Sequence, residues 1–514
     1  MRGILDKSKW WVAAALFSFC VAPTFISYQP YLFAWDDADF LLRSIAVSRA
    51  FWSGNLAGLG AMISTRPPAM TWMGLPWGWL ASWDAAGNCF ITLAAVTSLV
   101  AAACLYLLLR MGVKPLLVAA AGACVWASLG PYASGAGAHG PYPGASVHWY
   151  ATAFLADGLF AWTTLAAVLL IPYEARTHCP SIKSAVLRGI LWGSILSLGA
   201  MTKLNFLYFV ALIVPALFLI RLRNGGLRSA LAAFAALAYW SAPAAMYLVR
   251  CGRPAFEHAK EASFGRAADF YYIPPMQFLG ETSRESPGLA LSFLLTVAAL
   301  TYAVIQRRRI AWEPDFLAVL IVIGFGIIVL AAPNREIRFE FPAIVALPFL
   351  AAILLSGKER PAPGRFAALA AGLVFCGLLA ASVPTRHRAV RQSLVRPDAV
   401  LAEAAGCHAR RILLATDSPT LNEPLMDLAI AASPSGASFD VSTLAYRTWS
   451  GAAIEFDYQA MRDSDEVVFQ DRGALYPPFT NQRVSDYERY MRQGGYIPVR
   501  RGSDLSIYSI RCRP

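Results

Sequence analysis

Charged side chains are scarce in this sequence. Of its 514 residues, only 15% are Asp, Glu, Lys or Arg, whereas 57% are hydrophobic and the mean hydropathy is +0.48. Soluble globular domains carry about 25% charged residues. The composition therefore argues against an ordinary water-soluble fold.

Clustered metal ligands are also lacking. The nine cysteines include no Cys-x-x-Cys spacing, which structural zinc and iron–sulfur sites commonly use, so the sequence predicts no metal cluster. The formal net charge of +12 could suggest a nucleic-acid partner. However, Lys and Arg lie mostly in short segments between apolar runs, as in loops of membrane proteins. We therefore predict a lipid bilayer as the partner and no nucleic acid.

Apolar runs of 17 or more residues are what the chain has in abundance. Each can cross a hydrocarbon core of ~30 Å at ~1.5 Å per residue. The first run follows three basic residues and lacks a convincing cleavage site, which favours a retained anchor over a signal peptide. The sequence predicts an all-α polytopic bundle of about eleven transmembrane helices. These lie near 10–30, 89–109, 115–132, 150–171, 187–202, 204–220, 229–249, 287–305, 316–333, 339–356 and 366–383.

The distribution of basic residues supports this count. With a cytoplasmic N-terminus, the short basic clusters at 110–114, 176–188, 221–228, 307–309 and 358–365 all fall inside, as the positive-inside rule requires. One long helix over residues 189–220 would reverse the later loops and place the basic triplet at 307–309 on the extracytoplasmic side, against the positive-inside rule. We therefore predict two helices that are broken near Lys203, and an extracytoplasmic C-terminus.

The last part of the chain has a different pattern. Short β-type runs alternate with helix-compatible stretches, which is typical of a small α/β domain. The predicted domains are a transmembrane domain over 1–383, with a first extracytoplasmic loop at 31–88 that carries interfacial helices, and an extracytoplasmic domain over 384–514. Cys407 and Cys512 fall in the second domain, and the sequence leaves open whether they are bonded.

Three carboxylates follow the first span, in Ala34-Trp-Asp-Asp-Ala-Asp-Phe-Leu41. Adjacent carboxylates repel one another, which raises at least one pKa and suits a general base that faces a hydroxyl. Asp36 and Asp37 are therefore the catalytic candidates, with Asp39 in support. Ordinary helix capping at the membrane interface is equally open. The Asp37-Ala-Asp39 spacing also leaves a divalent cation open as a cofactor.

Several cations are candidates for binding a phosphate. Arg335 and Arg338 lie in the last predicted external turn, and guanidinium groups suit phosphate oxygens. Lys203 lies at the predicted helix break. The alternatives are salt bridges to neighbouring glutamates for the arginines and snorkelling for the lysine. Asp157 lies inside the fourth predicted span. Placing its charge in the membrane costs at least ~2.5 kcal/mol unless the carboxylate pairs with a cation or contacts water.

Taken in their order along the chain, these motifs resemble those of the GT-C superfamily of integral-membrane glycosyltransferases. That superfamily includes protein O-mannosyltransferases and the bacterial enzymes that add aminoarabinose to lipid A. The matching elements are Asp36-Asp37, Arg66-Pro67-Pro68, Asp157, Leu198-Gly-Ala-Met-Thr-Lys203 and Arg338-Phe-Glu-Phe-Pro342. Phe339 replaces the usual Tyr. No Trp-Trp-Asp motif of the oligosaccharyltransferases occurs, which argues against transfer of a whole glycan to asparagine.

The resemblance implies a glycosyltransferase in the bacterial inner membrane that uses a polyprenyl-phosphate sugar donor. Arg66, Lys203, Arg335 and Arg338 would hold the donor phosphate. Asp36 or Asp37 would deprotonate a hydroxyl acceptor on a lipid, glycan or protein, and a single displacement would invert the anomeric centre.

Two other functions compete with this one. A transporter or flippase would also place charge inside a bundle of many spans, but no inverted repeat is evident. A polymerase or ligase of surface glycans would need a long external loop late in the bundle, where this chain instead has its tail. The sequence leaves the sugar and the acceptor open.

Overall fold

The computed structural model describes most of the chain. The described residues are 2–25, 36–55, 66–79, 82–130, 156–177, 181–264, 274–285, 287–305, 314–333, 337–356, 365–416, 418, 420–432, 439–444, 454–470, 479–501 and 505–512.

Helices dominate these residues. They are α1 (Arg2–Val21), α2 (Asp36–Trp52), α3 (Ala69–Trp72), α4 (Ser82–Arg110), α5 (Pro115–Leu129), α6 (Ala156–Arg176), α7 (Ile182–Thr202), α8 (Leu207–Trp240), α9 (Ala242–Phe264), α10 (Pro275–Glu285), α11 (Pro287–Ile305), α12 (Pro314–Ala331), α13 (Phe341–Ser356), α14 (Arg365–Gly406), α15 (Glu423–Ala432), α16 (Ile454–Arg462) and α17 (Phe479–Gln493). The strands are β1 (Arg411–Leu414), β2 (Asp440–Thr443), β3 (Glu466–Gln470), β4 (Ile497–Arg501) and β5 (Leu505–Ser509).

Six helical segments of the described chain are long and apolar enough to cross a membrane: Gly87–Arg110, Ala156–Arg176, Ile182–Thr202, Leu204–Trp240, Pro314–Ala331 and Arg338–Ser356. Shorter apolar helices lie at Ala14–Thr24, Pro115–Leu129 and Phe293–Ile305. The chain is therefore an integral membrane protein. The full number of eleven crossings stays a prediction.

The chain forms two compact units, each built from separate segments. The first, here called the membrane unit, comprises Met1–Tyr28, Gly60–Met70 and Ile91–Ser382. The second, here called the sheet unit, comprises Gln29–Leu59, Thr71–Phe90 and Val383–Pro514. Much of the predicted first loop thus belongs to the same unit as the C-terminal domain.

The predicted helix break near Lys203 is present. Helix α7 ends at Thr202, Lys203 is extended with φ −155° and ψ 135°, and a 3-10 turn over Leu204–Phe206 leads into α8. A Cβ at Gly199 would lie 2.3 Å from the ring of Phe206. Glycine at this position therefore lets Phe206 fold back against the last turn of α7.

Helix α8 contains a second break, at Gly226, whose φ of 71° lies in the left-handed region that favours glycine. The rings of Phe218 and Phe234, on either side of it, lie 4.9 Å apart. In a straight helix these residues would be about 24 Å apart. The two halves of α8 therefore fold back on each other, in agreement with the separate apolar segments predicted near 204–220 and 229–249.

Basic residues gather at one end of the membrane unit. Glu174, fully buried at the end of α6, accepts hydrogen bonds from Arg188 at 2.6 Å and from Arg221 at 3.0 Å. Arg176 donates to Asp315, at the start of α12, at 2.5 Å. Basic clusters that were predicted on one side of the membrane thus meet at one end of the bundle. The assignment of that end to the cytoplasm stays a prediction.

The C-terminal segment forms the predicted α/β structure. Its sheet has the order β2-β1-β3-β5-β4, with β1 parallel to β2 and β3, and with β5 antiparallel to both β3 and β4. Apolar side chains on β1, β3 and β5 pack with others on α16 and α17 to form its buried core. A disulfide joins Cys407, just beyond α14, to Cys512, just beyond β5.

Candidate functional site

Lys203 and Asp157 form an ion pair in the membrane unit. The Lys203 Nζ donates to Oδ1 of Asp157, which is buried in the first turn of α6. Asp157 and Glu174 lie at opposite ends of α6, so this pair and the basic cluster lie at opposite ends of the membrane unit. The lysine stabilises a carboxylate whose burial would be unfavourable without a partner charge. This ion pair explains the position of Lys203 better than snorkelling to the membrane interface does.

Aromatic rings contact Lys203 and a second cation, Arg338. The Lys203 Nζ lies 4.6 Å from the ring centroid of Phe339 and 5.6 Å from that of Phe160. The guanidinium carbon of Arg338 lies 5.3 Å from the same Phe339 ring. Aromatic faces attract cations at such distances. Phe339 therefore holds two positive side chains from different parts of the chain close to one another, an arrangement that suits a phosphate.

Glu340 follows these residues and is 6% exposed. Its carboxylate lies against α12, where a Cβ at Gly326 would be 3.4 Å from Oε2. Its Oε1 has no hydrogen-bond partner within the described part of the chain. Arg335, the other predicted arginine of this turn, lies outside the described residues.

The acidic motif opens a helix in the sheet unit. Helix α2 begins at Asp36, so Asp36, Asp37 and Asp39 stand in its first turn, where the helix dipole stabilises negative charge. Asp39 accepts a hydrogen bond from Arg43 Nε at 2.9 Å, one turn along. The side chains of Asp36 and Asp37 lie outside the described part of the structure. Among the described residues, no group of three His, Cys, Asp or Glu side chains could hold a metal ion.

Two further carboxylates, which the sequence reasoning missed, lie near this motif. Helix α2 packs against α15, which carries Glu423 and Asp427. Burial raises the pKa of Asp427, and the negative charges of Asp39 and Asp440 raise it further. Burial raises the pKa of Glu423, and the negative charge of Asp427 raises it further. No local spacing reveals this neighbourhood, because α2 and α15 lie near opposite ends of the sequence.

Within the described part of the chain, the structure brings Asp157, Lys203 and Arg338 together. Arg66 belongs to the membrane unit and is partly buried. Asp39 belongs to the sheet unit, as does the backbone of Asp36 and Asp37.

A groove of about 520 Å³ lies along α14 in the sheet unit. Its described lining is Val383, Pro384, His387, Arg388, Arg391 and Gln392. The Nε2 of His387 lies 2.9 Å from Oδ1 of Asn88, so the histidine is held by α4.

Two solved structures of ArnT from Cupriavidus metallidurans share this fold. The structure of ArnT bound to undecaprenyl phosphate has 13% sequence identity and a TM-score of 0.51, over 97% of this chain and 96% of that one. The apo structure has the same identity and TM-score, over 99% and 98% of the two chains. No protein-family model matches the sequence. No curated protein matches it either.

Proposed function

We propose that this chain, which has the fold of the GT-C superfamily, is a membrane glycosyltransferase that takes its sugar from a polyprenyl-phosphate carrier. The observation that carries the proposal is the pair of cations, Lys203 and Arg338, on the ring of Phe339. They stand in a fold of which one member, ArnT, has a structure bound to undecaprenyl phosphate.

The two cations suit the donor phosphate. Arg338 offers a planar fork of N–H donors, and Lys203 offers a compact positive charge whose direction is set by Asp157. Arg66 and Arg335 complete the phosphate site. As the bond between the anomeric carbon and the phosphate oxygen breaks, its electron pair leaves on the phosphate. Fixed cations stabilise that charge without reorganisation.

The acceptor hydroxyl loses its proton to an aspartate. Asp36 is the proposed base and Asp37 the second candidate, with Asp39 in support, whereas Asp157 supports the phosphate site through Lys203. The acceptor oxygen bonds to the anomeric carbon as the phosphate departs, so a single displacement inverts that centre. The acceptor is a lipid, glycan or protein hydroxyl on the extracytoplasmic side, and the protein lies in a bacterial inner membrane with a cytoplasmic N-terminus.

Product formation in detergent tests the proposal. Purified protein receives polyprenyl-phosphate-linked pentoses and hexoses with candidate acceptors, and the release of free polyprenyl phosphate is measured. We expect Asp36→Asn to lower the rate roughly 100-fold or more, as loss of a general base does. Asp486→Asn, at a partly exposed aspartate of α17, is the matched control and should keep the parent rate.

Full activity in both Asp36→Asn and Asp37→Asn would refute the assignment of the base. A transporter or flippase of lipid-linked or glycan substrates, the competing function, would release no polyprenyl phosphate in detergent. It would instead move the lipid-linked sugar only in sealed vesicles.

A further inference from the structure

We propose that the C-terminal α/β domain holds the acidic helix α2 in place, and that Arg49 is a positioning residue for the transfer reaction. The second part rests on the proposed function, because it takes the first turn of α2 to carry the base. The first part concerns structure alone.

The contact between α2 and α15 carries the proposal. Both helices belong to the sheet unit and pack against each other. The Arg49 Nη2 donates a 3.0 Å hydrogen bond to the carbonyl oxygen of Ala431, in the last turn of α15. Carbonyl groups in the last turn of a helix have no partner within it and carry partial negative charge. A guanidinium group from α2 therefore satisfies the end of α15 and ties the two helices together.

The start of α15 is fixed by a buried cap. The Oδ1 of Asn422 accepts a hydrogen bond from the backbone N–H of Leu425 at 3.0 Å, and its Nδ2 donates to the carbonyl of Ser418 at 2.9 Å. Asn422 is fully buried. This side chain therefore joins the first turn of α15 to the loop that follows strand β1.

That loop is in turn attached to α14. Arg396 of α14 donates a 2.6 Å hydrogen bond to Oγ1 of Thr420. Beyond α14, Cys407 is bonded to Cys512, just beyond the end of β5. A continuous set of contacts thus leads from the sheet through α14 and α15 to α2.

Helix α2 is also held by the segment that follows it in the first loop. Ser48 Oγ donates to the carbonyl of Gly74 at 2.7 Å, and Trp52 Nε1 donates to the carbonyl of Leu75 at 2.7 Å. These local bonds do not involve the C-terminal domain. A change at Arg49 or Asn422 therefore tests the contribution of the domain while the local support stays intact.

Hydrogen–deuterium exchange of the full chain in detergent tests the attachment without reference to activity. Arg49→Ala should speed exchange of the α2 amides about fivefold, the effect expected from one hydrogen bond of about 1 kcal/mol. Arg49→Lys, which keeps the charge and a donor, should restore part of the protection. Asn422→Ala should act in the same direction from within the domain. Exchange of the α7 amides should not change.

Kinetics then test the positioning role. Arg49→Ala should lower kcat severalfold without changing the Kd for polyprenyl phosphate, and Arg49→Lys should recover much of the loss. Arg489→Ala is the matched control, because the bond that Arg489 makes among the described residues is local, to Asp486 on the same helix α17. It should leave both the exchange of α2 and the kinetics unchanged.

Unchanged α2 exchange in both Arg49→Ala and Asn422→Ala would overturn the proposal, whatever the protein catalyses. Faster α2 exchange with unchanged kcat would uphold the attachment and overturn the role of Arg49 in positioning. Asp36→Asn and Asp37→Asn variants at full activity would instead refute the proposed function and leave the attachment standing.

Discussion

Lys203 directly follows the last residue of helix α7, and its ammonium group donates a hydrogen bond to the buried carboxylate of Asp157 in the first turn of α6. The lysine therefore has two roles to separate. It neutralises Asp157, and we propose that it also binds the donor phosphate.

Replacement of Lys203 by Met removes both roles at once. Asp157 would keep a buried charge without its partner, which costs about 3 kcal/mol, so both thermal stability and transfer activity should fall. In the double variant Lys203→Met/Asp157→Asn, no charge is stranded, and stability should return to near the parent value. Transfer and polyprenyl-phosphate affinity should stay low, as thermal unfolding in detergent and a binding titration would show. Recovery of full activity in the double variant would mean that Lys203 serves only to pair Asp157.

Phe339 should contribute through its ring face, because two cations share it. Phe339→Leu keeps an apolar side chain but removes the face, with an expected loss of about 1 kcal/mol, or roughly fivefold weaker binding of polyprenyl phosphate. Phe339→Tyr keeps the ring and should bind within about twofold of the parent protein. Equal affinity for the Leu and Tyr variants would show that the ring face makes no contribution.

The helix break near Lys203 could be predicted from the distribution of basic residues, because one long helix would have exported the triplet at 307–309. The structure adds the local reason: Gly199 allows the close approach of Phe206, and Lys203 interrupts an apolar run at the same point. The strands of the tail were predicted from a local pattern, since short β-type runs lie between turn residues.

The candidate site was predicted less completely. Asp157, Lys203 and Arg338 were identified singly, but the shared ring of Phe339 depends on tertiary packing, which no spacing in the sequence encodes. The neighbourhood of Asp39 and Asp427 was missed for the same reason. Both cases concern contacts between segments that lie far apart in the chain.

Glu466 should make the C-terminal sheet sensitive to pH. It is fully buried at the start of β3, and neither carboxylate oxygen has a hydrogen-bond partner among the described residues. Burial, and then the charge of Glu403 on α14, raise its pKa from 4.5 to about 8. The neighbouring Asp465 behaves in the opposite way. Although burial opposes ionisation there, hydrogen bonds from the N–H groups of Arg410 and Arg411 and from the Arg511 side chain lower its pKa to about 2.

The sign of the Glu466 effect follows from these values. Between pH 4.5 and 8 the folded state keeps a proton that the unfolded state has released, so stability falls as the pH rises, by at most about 1.4 kcal/mol per unit. Protection of the β3 and β5 amides, corrected for intrinsic exchange, should therefore be greater at pH 5.5 than at pH 8.5. Glu466→Gln should abolish this slope and raise protection at pH 8.5, whereas Glu455→Gln, at an exposed site on α16, should keep it. A slope that persists in Glu466→Gln would assign the pH dependence to another group.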